Sequence, residues 1–163
     1  VKTTHEGLVQ MFQLQSRLAS IMTKSTEAVT QARSAHEQLQ KLTPGASGSV
    51  ADAISTLDKK VSALLGGGGG FFAPPSPEPT LSRANGEAAT LYAEVGRADA
   101  APTAAQMSAT AETEKDFVAV SSQWKQLMSV DLPALNRQLH GASLPEIKLE
   151  SKSSEPDDSD DVE

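Results

Sequence analysis

From Gly7 to Leu42 the chain carries a seven-residue repeat without a break, and no other feature so narrows the folds open to it. One row of positions reads Met11, Leu18, Ser25, Ala32 and Leu39, and the row three residues on reads Leu14, Ile21, Ala28, Ala35 and Leu42. Alternating steps of three and four place both rows on one stripe of an α-helix, whereas a strand would scatter them over two faces. The pattern predicts a helix from Thr3 or Thr4 to Thr43-Pro44-Gly45, roughly 55–60 Å long at ~1.5 Å per residue. Its seam is large at both ends and small through Ser25, Ala28, Ala32 and Ala35, where a partner helix can come close. Lys24, Glu27, Gln31, Glu37, Gln38 and Lys41 fall on the opposite face, as water-facing positions should.

After a short loop over 44–49, Val50, Ile54, Leu57, Val61 and Leu64 repeat the three-four spacing and predict a second, antiparallel helix ending at Leu65. Ser49 with Asp52 resembles its capping box in acidic form. Gly66 to Pro79 is a glycine run, then Phe71-Phe72, then four prolines, a composition that holds no helix and reads as a linker. Phe71 and Phe72 are candidate docking residues, either folding back on the bundle or meeting another domain. A third helix is expected from Thr80 to Ala98 with Leu81, Ala84, Ala88, Leu91, Val95 and Ala98 on its seam. Thr103 to Gln106 is a capping box that opens a fourth, for which the pattern picks out Met107, Ala111, Phe117, Val118, Ser121, Trp124, Leu127 and Met128, with Glu114 interrupting. Asp131-Leu132-Pro133 predicts a kink or restart, after which Leu135 and Leu139 carry the apolar face to His140-Gly141. Leu144 to Leu149 alternates apolar and polar, as an extended arm does.

These signals divide the chain into a helical hairpin over 1–65, a linker over 66–79, a second hairpin over 80–141, an arm over 142–149 and an acidic tail over 150–163, expected to be disordered. The expected fold is all-α, an antiparallel up-down four-helix bundle. Its packing seam is expected to include Met11, Leu14, Leu18, Ile21, Ala28, Ala32, Leu39, Leu57, Val61, Leu91 and Trp124. Scarce aromatic residues, 4% of the chain, agree with closely packed Ala-rich helices and not with a sheet core.

Charge narrows the partners. Of the net −7, Glu150 to Glu163 supplies nearly all, with seven carboxylates against Lys152, so the body is almost neutral. Phosphate contacts need a clustered Lys/Arg face, so no nucleic-acid partner is expected; nor is a membrane span, for which ~20 apolar residues are required. The chain opens on Val1 without a charged-then-apolar leader and reads as part of a longer protein. The absence of cysteine removes disulfides and thiolate metal sites.

Chemistry-bearing motifs are weak. His5-Glu6 and His36-Glu37 each begin like a zincin motif, but Val9 and Gln40 stand where the second histidine belongs, so both histidines read as water-facing. His140 falls in a last helical turn, where a cationic ring offsets exposed carbonyls. Glu112, Glu114 and Asp116 are spaced so as to diverge around a helix. No phosphate-loop lysine follows the glycines and no Gly-x-Ser-x-Gly elbow occurs. No catalytic residue, cofactor or metal site is assigned.

One resemblance is carried by Leu91-Tyr92 with Val95, Asp99-Ala100-Ala101-Pro102-Thr103, Trp124-Lys125-Gln126-Leu127, Asp131-Leu132-Pro133-Ala134-Leu135-Asn136 and Leu144-Pro145-Glu146-Ile147. These runs resemble the helical C-terminal segment of exported bacterial proteins built on a sortilin-like or neuraminidase-repeat β-propeller and labelled glycosyl hydrolases. The resemblance covers 81–149 and is compatible with 1–65; the glycine-rich linker and acidic tail depart from it. It implies a parent propeller upstream of Val1, an exported location and a non-catalytic role in packing, spacing or homo-oligomerisation. Two other readings stay open: a free-standing coiled-coil adaptor, and one wall of the parent hydrolase's site.

Overall fold

The structure, a computed structural model, describes residues 4–66, 77–97 and 100–150. Among the described residues five α-helices follow in order: α1 His5–Leu42, α2 Gly48–Leu65, α3 Leu81–Arg97, α4 Ala104–Gln126 and α5 Leu132–Gly141. The fold is all-α; among the described residues there is no strand. Thr4 caps α1, its hydroxyl accepting from Gly7 N at 3.1 Å, and a 3-10 turn over Thr43–Gly45 ends it where Pro44 denies the helix a donor. The 38 residues of α1 make a rod about 57 Å long.

Side-chain bridges fix the direction of each helix against α1. His36 and Gln40 meet Asp58, and His36 meets Ser62, so α2 runs back along the C-terminal half of α1. Asn85 donates to Met22 O, Ser25 Oγ and Thr26 Oγ1, and Gly96 lies beside Gln15, so α3 also runs back, along the N-terminal half. Arg17 pairs with Glu114, and Trp124 with Gln31, so α4 runs parallel to α1. The expected up-down-up-down order of four helices is therefore not what forms. Helices α2 and α3 lie end to end in one direction and together match the length of α1, and α4 with α5 makes the third rod. Three rods pack side by side, the middle one interrupted.

The interruption is tightly closed. Gly66, with φ +78°, ends α2 against the buried Thr80, whose hydroxyl accepts from Arg83 N at 3.2 Å and starts α3. The linker leaves and rejoins the rod at nearly one point; residues 67–76, with Phe71 and Phe72, lie outside the described residues, as do Ala98 and the tail from 151. Leu81 shares a core with Val61, Ala28 and Ala32, so the small stretch of the α1 seam lies where the two helix ends meet.

Two apolar cores result. The larger unites Leu39, Ile54, Leu57, Val61, Trp124 and Leu139 with the Ala28, Ala32 and Ala35 seam, and the smaller unites Leu14, Leu18, Ile21, Ala84, Ala88, Val95 and Phe117, with the half-buried Met11 and Leu91 against it. Between them sits Ser25, 0% exposed, with the Asn85 carboxamide bonded across to it at 2.8 Å. A half-buried amide of this kind costs apolar area but holds register, since sliding α3 by one turn would strip it of its acceptors.

Three local expectations are corrected. In α4 the buried stripe is Thr110, Thr113, Phe117, Val120, Trp124, while Met107 and Val118 of the expected seam are exposed, as is Ala111. Threonine serves as a core residue there because its hydroxyl returns to its own helix, Thr110 Oγ1 donating to Gln106 O at 2.8 Å, and leaves the methyl to pack. The Ser49–Asp52 box does not form: α2 starts at Gly48, behind an N-cap Ser47 that makes no side-chain bond. The Asp131 restart is a π-helical turn over Leu127–Asp131, with Leu132 N bonded to Leu127 O, which absorbs the donor missing at Pro133 without parting the rod.

At the far end Gly141 is still helical. The left-handed residue is Ser143, φ 58°, in a Schellman turn where Leu144 N donates to Leu139 O and Ser143 N to His140 O. Glycine takes that conformation at no steric cost, so Ser143→Gly should add about 0.5–1 kcal/mol, read as a rise of roughly 1–4 °C in the thermal midpoint.

Candidate functional site

Two constellations bring polar side chains together. The first joins α1 and α2: His36 Nδ1 lies 2.6 Å from Asp58 Oδ1, Gln40 Nε2 donates to Asp58 Oδ2 at 2.7 Å, and Ser62 Oγ is 3.4 Å from the same His36 Nδ1. Serine, histidine and aspartate within reach of one another invite a nucleophilic reading. The geometry opposes it, because a relay needs the carboxylate on one ring nitrogen and the hydroxyl on the other, and here both address Nδ1. With Asp58 already bonded by Gln40, the cluster ties the two helices together. His36 is thus engaged across the bundle and not simply water-facing, as its neighbour Glu37 is.

The second constellation seats the arm. Residues 144–150 run back along the groove between α1 and α5, with Leu144 against the end of α1 at Gly45 and Ile147, 3% exposed, in the larger core. Asn136 donates to Ile147 O at 3.0 Å and accepts from Ile147 N at 2.8 Å. From the opposite rod Gln38 donates to Lys148 O at 2.9 Å and accepts from Lys148 N at 3.0 Å. Gln31 reaches Glu150 O at 3.4 Å and takes the Trp124 indole N–H at 3.5 Å. Each carboxamide presents a donor and an acceptor side by side, the pattern of a peptide edge, so Asn136 and Gln38 pair with successive residues of the arm as neighbouring strands would. A helical surface cannot offer a backbone edge; these side chains supply one.

Gln31 and Gln38 stood among the positions read as water-facing, and they are half-buried under the arm. They belong to a polar row beside the seam, Gln10, Arg17, Lys24, Gln31 and Gln38, that recurs every seven residues and that sequence alone does not distinguish from a water-facing one; Arg17 of that row is bonded to Glu114. That bond raises the Arg17 pKa, which leaves the guanidinium charged at every accessible pH. The pair is half-exposed and worth at most ~1 kcal/mol, so it marks register more than it stabilises.

Four further acidic residues line an open groove of about 550 Å³ between α3 and α4, where Glu94, Glu112 and Asp116 face Arg83 and Glu87, themselves paired at 2.8 Å. Among the described residues no three His, Asp or Glu side chains converge as metal ligands, and no helix is long and apolar enough to cross a membrane. Comparison of the chain with protein-family models, with curated proteins and with solved structures returns no match.

Proposed function

We propose that the chain is a non-catalytic helical rod that packs against, spaces or oligomerises the protein carrying it. The observation that carries this reading is where apolar surface remains. Leu8, Val9 and Phe12 of α1 are exposed, Phe12 at 70%, and Met107 of α4 stands two turns before the Arg17–Glu114 contact, at the same end of the rod. Tyr92, late in α3, is exposed toward that end too, whereas Val118 and Val130 stand singly elsewhere. Large apolar side chains gathered at one end of a rod are what attachment to a neighbouring domain would cover.

The resemblance over 81–149 supports a specific neighbour, the β-propeller of an exported sortilin-like protein upstream of Val1. Coding sequence with propeller repeats there is the first check. The experiment is a parent protein carrying Phe12→Ser and Leu8→Ser. If the end of the rod is the docking face, proteolysis between propeller and rod should accelerate severalfold, while helix content by circular dichroism stays unchanged. Unchanged proteolysis would place the docking face elsewhere. Turnover of a chromogenic glycoside by this chain alone, abolished by a substitution within it, would overturn the non-catalytic reading.

A further inference from the structure

Two features of the arm stand apart from the rest of the fold. Its backbone is bonded by Asn136, Gln38 and Gln31, while Ile147 is its one deeply buried side chain and Leu144 and Leu149 lie half-buried against the same core. It also leaves α5 through a two-residue hinge, Ala142-Ser143, whose second residue is a non-glycine in the left-handed region. We propose that this groove is an exchangeable site for an extended peptide, and that copies of this chain bind one another by trading arms through it.

Carboxamide pairing reads peptide groups whatever side chains they bear, and the Ile147 socket reads a single aliphatic residue. The ligand class is therefore an extended segment with one fully buried aliphatic side chain flanked by half-buried ones, as Leu144 and Leu149 flank Ile147, and a second copy carries that segment at the right distance from its own rod. Every bond that the arm makes at home can be remade in a neighbour's groove, so the exchange loses no contact. It also gives up the left-handed Ser143, since an arm reaching outward needs no reversal; a short strained hinge is the usual condition for swapping. Opposing it is the high effective concentration of the tethered arm, of millimolar order, so the closed form prevails in dilute solution. This inference goes beyond the packing role at the other end of the rod and does not depend on it.

The test uses the full chain and a fluorescent peptide of residues 142–150. Ile147→Asp should unseat the resident arm, so that this variant binds the peptide at least about tenfold more tightly than the wild type does. Adding Asn136→Leu to it, or placing Asp at the Ile147 position of the peptide, should abolish binding. Ser143→Gly, which relaxes the closed hinge, should bind the peptide roughly two- to fivefold more weakly than the wild type. The wild type at millimolar concentration should sediment partly as a dimer that excess peptide dissociates. A helical Ile147→Asp chain that ignores the peptide, or a wild type monomeric at that concentration, overturns the proposal. Should Ile147→Asp fail to fold, amide exchange of wild-type Ile147 and Lys148 decides: exchange well ahead of the helix amides supports a separable arm, and exchange only with global unfolding refutes it.

Discussion

Trp124→Ala should lower stability by about 3–5 kcal/mol, and Val118→Ala, six residues earlier on the same helix, by less than ~0.5 kcal/mol. The contrast follows from where α4 turns its faces. Trp124 is 3% exposed in the core that joins α1, α2 and α5, and its indole N–H meets Gln31, which in turn holds the arm. Alanine there leaves a void among side chains drawn from several helices, which cannot all collapse into it. Val118 is 66% exposed and loses only a little shielded area. In thermal unfolding followed by circular dichroism the first substitution should lower the midpoint by roughly 6–20 °C and the second by under ~2 °C. A larger loss at Val118 would mean that α4 presents the Met107-Ala111-Val118 face to the core.

That second face shows why α4 was the least legible helix. Its sequence carries two neighbouring stripes, one apolar by composition and one, with Thr110 and Thr113, that buries. Counting hydrophobic residues mixes the two, taking Phe117 and Trp124 from the buried stripe but Met107, Ala111 and Val118 from the other, because nothing local reveals that a threonine hydroxyl will be satisfied by its own helix and leave a methyl for the core. In α1 only one stripe was on offer, and the ten seam positions from Met11 to Leu42 are buried or half-buried. The arm illustrates a different limit. Its extended pattern was readable from Leu144 to Leu149, but its seat depends on Gln31, Gln38 and Asn136, polar residues whose partners lie 119, 110 and 11 positions away. Periodicity separates inside from outside; it does not say that an outside row will be covered.

The order of the rods was hidden for a related reason. A glycine-proline linker between two helices is equally compatible with a reversal and with a continuation, and the choice rests on what its two ends touch. Gly66→Ala tests that contact. Gly66 has φ +78° and ψ 165°, a region that only glycine occupies without strain, and a Cβ there would lie 2.6 Å from Thr80 Cβ and closer still to its hydroxyl. Thr80 cannot easily yield, since it is 6% exposed and its hydroxyl caps α3. Backbone strain and overpacking together should cost roughly 2–4 kcal/mol in urea unfolding. Adding Thr80→Gly to Gly66→Ala should return the steric share, leaving a double variant more stable than the two single losses combined would predict by at least ~1 kcal/mol. Were α2 and α3 instead to reverse at the linker, Gly66 and Thr80 would not touch and the two substitutions would simply add. Non-additivity at this one pair therefore distinguishes three rods, one of them interrupted, from four alternating helices.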